Sequence, residues 1–214
     1  MRLLNNIFKH KYEKESINDS IGDFDSHSDF TIREREIIKF VSPFTMTSPE
    51  RIVSLIRSIN YLHTNKIRGS IVECGVWKGG SIMTVLLTLE DLSDKTREIY
   101  LYDTFEGMGK PAQEDIDLKG NRAEELLASE SKDNHSGIRA IASMDEVKEN
   151  IALTKYPIEN IHFIKGSVEK TLSESSIPES IALLRLDTDW YESNLLPTHV
   201  SGTVAANGGI FGVA

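Results

Sequence analysis

Ser70-Ile71-Val72-Glu73-Cys74-Gly75-Val76-Trp77-Lys78-Gly79-Gly80-Ser81 is the stretch whose reading decides the fold. It opens as a short β-branched run, breaks at Gly75, and passes through Gly79-Gly80 into Ile82-Met83-Thr84-Val85-Leu86-Leu87-Thr88-Leu89, which reads as a largely buried helix. A strand, a glycine turn and a buried helix in immediate succession open a parallel α/β unit. The rhythm repeats downstream. Residues 99–103 read as a second strand ending in Asp103, 161–165 as a third closed by Gly166, and 181–187 as a fourth ending in Asp187. Residues 208–213 supply a candidate fifth. Ser143-Met144-Asp145-Glu146 is a capping box that opens a helix expected to run to about Lys155. The expected fold class is therefore α/β: a Rossmann-like parallel sheet with flanking helices.

Working outward, Thr47-Ser48-Pro49-Glu50 marks a helix start, since Thr47 or Ser48 can cap free amides and Pro49 has none to satisfy. Ile52, Val53, Leu55, Ile56, Ile59 and Leu62 follow at spacings of three and four, a single apolar stripe. Residues 1–30 are polar without a sustained period. The expected organisation is an N-terminal arm, partly mobile, over residues 1–40 and one catalytic-type domain over 41–214. The charged, glycine-punctuated segment 106–142 reads as an excursion or lid.

Composition limits the function classes. With 33 acidic against 24 basic side chains, the net charge of −9 argues against a nucleic-acid binder, which needs a basic footprint. No apolar run reaches the length of a membrane span, so no membrane partner is expected. The single cysteine, Cys74, excludes an internal disulfide. No signal-peptide pattern is read at the start. A soluble, reducing, cytoplasmic setting is the expectation. The six histidines show no metal-ligand spacing.

In parallel sheets ligands sit beyond the carboxyl ends of the strands, so those ends carry the chemistry. The E-x-G-x-x-x-G-G pattern of Glu73, Gly75, Gly79 and Gly80 lets a ligand approach the backbone and aims a helix N-terminus at it. Its glycine spacing departs from the dinucleotide fingerprint, and Glu73 would repel a pyrophosphate, which counts against a nicotinamide-dependent oxidoreductase. A tight structural turn is the plainer reading of the glycines alone. Asp103 is placed to accept ribose hydroxyls, with a turn cap as its plainer reading. Together Glu73 and Asp103 suit a positively charged nucleoside, and S-adenosylmethionine is such a compound. In Asp187-Thr188-Asp189 two carboxylates can divide labour, one holding a divalent cation and the other accepting a proton; a solvated strand end is the alternative.

Four segments, 44–51, 72–81, 103–107 (Asp103-Thr104-Phe105-Glu106-Gly107) and 184–193 (Leu184-Arg185-Leu186-Asp187-Thr188-Asp189-Trp190-Tyr191-Glu192-Ser193), occur in an order that resembles the macrocin O-methyltransferase family. The resemblance implies an S-adenosylmethionine-dependent, Mg²⁺-assisted O-methyltransferase acting on a hydroxyl of a sugar or glycoside. It implies that Glu73, Gly75, Val76, Trp77, Gly79, Gly80 and Ser81 line the methionine portion of the cofactor. Asp103 would hold the ribose, Thr104 and Phe105 would border the adenosyl group, and Gly166 and Ser167 would lie near the adenine. Asp187 would be a metal ligand and Asp189 the general base. The implied partner is a small-molecule or glycan acceptor, with room for a homo-oligomer. The family pattern continues into adjacent aspartates and further strands where this sequence reaches Ala214, so the domain is expected to be incomplete at its C-terminus. The alternative expectation is a methyltransferase-like binding protein or fragment without a complete metal site.

Overall fold

A computed structural model describes residues 29–117, 119–130, 139–174, 177–188 and 210–213, the last of these by backbone alone. Its elements are α1 (Ile32–Val41), α2 (Pro49–Thr64), β1 (Ser70–Cys74), α3 (Gly80–Asp91), β2 (Ile99–Asp103), α4 (Ala123–Ser129), α5 (Met144–Ala152), β3 (Ile161–Lys165), α6 (Val168–Glu174), β4 (Ile181–Leu186) and β5 (Ile210–Val213). A 3-10 turn, Ser42–Phe44, joins α1 to the segment leading into α2.

The five strands form one sheet in the order β3-β2-β1-β4-β5, and every pairing is parallel. β1 sits at the centre, and the chain winds first toward β3 and then back past β1 to β4. The gap between the strand ends of β1 and β4 is therefore the topological switch point, where open α/β sheets bind ligands.

Strand composition follows from burial on both faces. Ile181-Ala182-Leu183-Leu184-Arg185-Leu186 is buried throughout, and β1 is buried from Ile71 onward. Parallel strands covered on both sides read as continuous apolar runs rather than alternating ones. Successive side chains still point to opposite faces. Ile71, Ile99, Leu101 and Leu183 join the core under α1, α2 and α3, while Val72, Cys74, Tyr102, Leu184 and Leu186 pack with Val168 and Leu172 of α6 on the other face. α3 is buried on most of its circumference because α1 and α2 both lie against it.

The sequence-based organisation needs correction at the N-terminal end. Phe30, Ile37, Ile38 and Val41 belong to the main core, so residues 30–40 are part of the domain and not of an arm. The reason is a set of polar ties that the periodicity alone does not reveal. Thr31 and Glu34 form a reciprocal capping box. Glu34 is held below the usual carboxylate range: burial opposes its charge, and Arg57 together with the Thr31 cap more than offsets that. Arg33 grips Asp91 at the end of α3 through two hydrogen bonds of 2.7 and 2.9 Å. The rest of the expected arm, 1–28, lies outside the described residues.

Two helix readings also shift. α2 begins at Pro49 as read, but Ser48 makes no side-chain cap. α5 is capped by Ser143, which accepts from the Glu146 N–H at 3.2 Å, and it ends at Ala152. Lys155 already lies in the left-handed region at φ 61°, so the helix cannot continue through it. Within the 106–142 excursion the structure shows α4 and an antiparallel bridge between Ile116 and Arg122. No helix among the described residues is long and apolar enough to cross a membrane.

Candidate functional site

A cleft of about 410 Å³ opens at the carboxyl ends of β1, β2 and β4. Its inner wall is Gly75, Val76, Trp77, Gly80 and Ser81 of the turn after β1, with Asp103 and Thr104 from the end of β2 and Asp187 and Thr188 from the end of β4. Gly79, expected there, faces Val147 and Ile151 instead. The outer wall is made by residues 44–47, Arg51 and the 107–112 segment.

Gly75 is dictated by geometry. Its φ is +84°, and a Cβ there would stand 2.2 Å from the Asp187 carbonyl oxygen. The turn after β1 is thus packed directly on the turn after β4, and the Asp187 N–H donates to the Cys74 carbonyl at 2.8 Å. Gly80 is pressed as closely against the 3-10 turn, where a Cβ would meet the Phe44 carbonyl at 2.6 Å. Gly79 lies at φ 89° and gives α3 no side-chain cap. The first-turn amides of α3 consequently face the cleft without a capping side chain.

Asp103 organises this turn. Its Oδ2 accepts from the Val76 N–H at 2.6 Å and the Trp77 N–H at 3.1 Å, and its Oδ1 accepts from the Phe105 N–H at 2.7 Å. The Thr104 hydroxyl has one proton, and its shorter bond goes to the Gly107 carbonyl at 2.7 Å. Oδ1 therefore keeps a lone pair for a hydroxyl that enters the cleft. The turn-cap reading of Asp103 is thus what the backbone amides show.

Glu73 behaves differently from the expectation. It does not line the cleft. It is 2% exposed, and Oε1 accepts from Arg185 Nη1 at 2.7 Å. The register explains the pair, because Glu73 lies directly opposite Arg185 across β1 and β4. Burial pushes Glu73 up to about 7, with the Arg185 charge pulling the other way. Arg185 spends its second nitrogen on Asp187, at 2.8 Å from Oδ2. The cation that answers Glu73 is thus internal to the protein, a correction to the reading of a bare carboxylate awaiting a cationic ligand.

The remaining expected positions divide. Val76, Trp77, Ser81 and Ser167 line the cleft with Gly75, Gly80, Asp103, Thr104 and Asp187. Trp77 stands at φ 46°, with its buried indole N–H lacking a partner among the described residues. Phe105 is a core residue, 4% exposed and 6.1 Å from the Phe163 ring, so it shapes the turn rather than the cleft. Gly166 is also structural: it stands at φ +148°, and its N–H donates to the Asp103 carbonyl at 2.9 Å. Asp189 lies outside the described residues.

The described residues contain no group of three or more His, Cys, Asp or Glu side chains able to hold a metal ion. Cys74 is buried and its thiol is pushed up to about 12 by burial, so it is a packing residue rather than a nucleophile.

Sequence reasoning gave no role to Arg185, Arg51 or Lys110. For Arg185 a signal existed: a single charge in an otherwise apolar central strand needs a partner, and Glu73 is the charge in its neighbour. Arg51 and Lys110 both line the cleft, one from the start of α2 and the other from the excursion after β2.

Comparison with known proteins agrees with this architecture. The family model for Macrocin-O-methyltransferase (TylF) matches residues 9–199. The chain is 27% identical over 174 residues to demethyldecarbamoylnovobiocin O-methyltransferase of Streptomyces niveus, covering 78% of this chain and 62% of that protein. It is 27% identical over 159 residues to 8-demethyl-8-(2,3-dimethoxy-alpha-L-rhamnosyl)-tetracenomycin-C 4'-O-methyltransferase of Streptomyces olivaceus, covering 72% and 57%. The solved structure of the O-methyltransferase NovP superposes with a TM-score of 0.58 at 22% identity, over 77% of this chain and 62% of that one, and shares the fold. The chain spans about six-tenths of the length of the curated relatives it matches. With a family match over most of its length and a class I Rossmann-like sheet, the chain belongs to the macrocin O-methyltransferase family.

Proposed function

We propose that the cleft binds S-adenosylmethionine and that the protein transfers its methyl group to a hydroxyl of a sugar or glycoside. The observation that carries the reading is the convergence of the Gly75–Ser81 turn, Asp103 and Asp187 on one cleft at the switch point of the sheet. The residues fit the cofactor. Asp103 keeps a lone pair for a ribose hydroxyl, and the glycine turn brings backbone to the cleft wall. The name of the Streptomyces olivaceus relative specifies a rhamnosyl-bearing acceptor, which supports the sugar class.

When bound, S-adenosylmethionine supplies an electrophilic methyl on a sulfonium. The protein's task is then to hold the acceptor oxygen in line and to keep water out. Thr45, Met46 and Met108 form an outer wall that can cover the acceptor. Arg185 fixes Asp187 at the rim of the inner wall, from which a carboxylate can orient the acceptor hydroxyl. Asp189 is proposed as the group that takes the hydroxyl proton, on the strength of its motif.

Magnesium assistance, with Asp187 as ligand, belongs to the same proposal. Among the described residues, however, Asp187 is paired with Arg185, and no group of three or more His, Cys, Asp or Glu side chains could hold a metal ion.

Calorimetric titration with S-adenosylhomocysteine tests the reading. Binding is expected, and transfer of labelled methyl to a glycoside should follow. A well-folded chain with no affinity for S-adenosylhomocysteine would overturn it. Assaying transfer with added Mg²⁺ and with chelator decides the metal part separately.

A further inference from the structure

We infer that Asn150 of α5 is a positioning residue for the cofactor turn, holding the Lys78 carbonyl so that the stretch from Val76 to Ser81 keeps the shape the ligand meets. The inference rests on the methyltransferase reading of that turn and adds a residue that reading does not include. Asn150 is 2% exposed, and its Nδ2 donates to the Lys78 carbonyl at 3.0 Å across 72 positions of sequence. Lys78 stands between two residues in the left-handed region, Trp77 at φ 46° and Gly79 at φ 89°. Backbone of that kind persists only where its surroundings hold it. The helix that follows does not hold this carbonyl: the first bond of α3 runs from the Met83 N–H to the Gly79 carbonyl, at 2.8 Å, one residue further on.

The turn is thus anchored from two sides. Asp103, at the end of β2, accepts from the Val76 and Trp77 amides at 2.6 and 3.1 Å. Asn150 engages the Lys78 carbonyl, and the amide of the same peptide unit, the Gly79 N–H, closes back on the Val76 carbonyl at 2.9 Å. Carbonyl and amide of one planar trans peptide point in opposite directions, so fixing the first aims the second. Packing supplies no substitute. Val147 and Ile151 lie against Gly79, where a Cβ would stand 3.5 and 3.7 Å from them, and apolar contact of this kind sets a distance without orienting a carbonyl. An asparagine buried inside a helix is otherwise unfavourable, since its side chain competes with the helical backbone and must be satisfied away from water. Here its amide protons meet an acceptor that no apolar side chain could serve. Displacing the Lys78 carbonyl would shift Trp77 on one side and Gly80 and Ser81 on the other, all of which line the cleft.

The test compares the full 214-residue chain with Asn150→Leu, which keeps the volume and removes the donor, and with Asn150→Asp, which keeps the shape and makes the donor depend on protonation. Amide hydrogen exchange without ligand, read by mass spectrometry, should quicken over residues 75–82 by about five- to tenfold in Asn150→Leu, the scale of one lost hydrogen bond, while β4 exchanges as in the wild type. S-adenosylhomocysteine affinity should fall by a similar factor, with the thermal midpoint lowered by no more than about 4 °C. In Asn150→Asp the loss of affinity, taken relative to the wild type at the same pH, should be present at pH 8 and largely absent at pH 5. Only the protonated carboxyl can donate to the Lys78 carbonyl, and burial favours that form. A residue that merely filled space would show no such profile. Unchanged exchange over 75–82, or S-adenosylhomocysteine affinity within about twofold of the wild type, in Asn150→Leu overturns the inference, as does a pH-independent loss in Asn150→Asp. If Asn150→Leu does not fold, Asn150→Asp at the two pH values carries the test. If the wild type itself binds no S-adenosylhomocysteine, the methyltransferase reading falls, and the exchange data alone decide whether Asn150 holds the turn.

Discussion

Replacing Arg185 by methionine exposes how the strand ends are held together. In the wild type, Glu73 is 3% exposed at its side chain and Arg185 10%, with 2.7 Å between charged atoms. Burial is the main cause that lifts Glu73 from 4.5 to about 7, and Arg185 is the chief opposing influence. The folded state therefore keeps a proton on Glu73 that the unfolded chain releases near 4.5. The resulting stability is fully present below that value and is lost as pH rises through about 7, a change of roughly 3 kcal/mol. Removing Arg185 takes away the lowering influence, so the Glu73 value climbs further and the loss of stability continues above pH 7. Each additional pH unit costs about 1.4 kcal/mol, so at pH 8.5 the variant should suffer about 2 kcal/mol more destabilisation than at pH 5.5. At pH 5.5 Glu73 is largely neutral in both proteins, and methionine fills much of the space of the arginine stem. Urea unfolding of both proteins at the two pH values measures the difference. An equal destabilisation at pH 5.5 and 8.5 would show that Glu73 is not the group that Arg185 neutralises.

Two further substitutions probe the cleft itself. Gly75→Ala places a methyl 2.2 Å from the Asp187 carbonyl at a φ of +84°, so the two turns must separate. The left-handed backbone alone costs about 1 kcal/mol and overpacking typically adds about 1–3 kcal/mol, so thermal unfolding should drop by several degrees and S-adenosylhomocysteine binding should fall at least tenfold. An unchanged melting temperature would refute the packing. Asp103→Asn keeps the size but loses charged acceptors for the Val76 and Trp77 amides and for ribose. It should weaken S-adenosylhomocysteine by about ten- to hundredfold in calorimetry.

The sheet was legible in the sequence because its central strands are short, β-branched and apolar, and each ends in glycine or acid. Ile181-Ala182-Leu183-Leu184 cannot be mistaken for a surface segment, and Gly75 marks a turn that no other residue would make. The cleft residues on the Gly75–Ser81 turn and at Asp103 were legible for the same reason, since strand ends face the switch point by topology. What the sequence could not convey were relations across distance. Glu73 looked like an open carboxylate because its neutralising partner lies 112 positions away and meets it only through the register of β1 and β4. Phe105 and Gly166 sat inside site-like motifs, yet the turn they occupy points them into the core or into the backbone. The packed helix α1 was read as arm because its apolar side is only Ile37, Ile38 and Val41, and its attachment depends on Arg33 and Arg57 reaching other helices. The same principle governs the outer wall. Arg51 and Lys110 are unremarkable charges in one dimension, and only the folded chain sets both on the wall of one cleft. The inner half of the cleft is thus written in local motifs, whereas its outer half is written in long-range contacts, and that is where members of one fold family can diverge in substrate while keeping a common inner site.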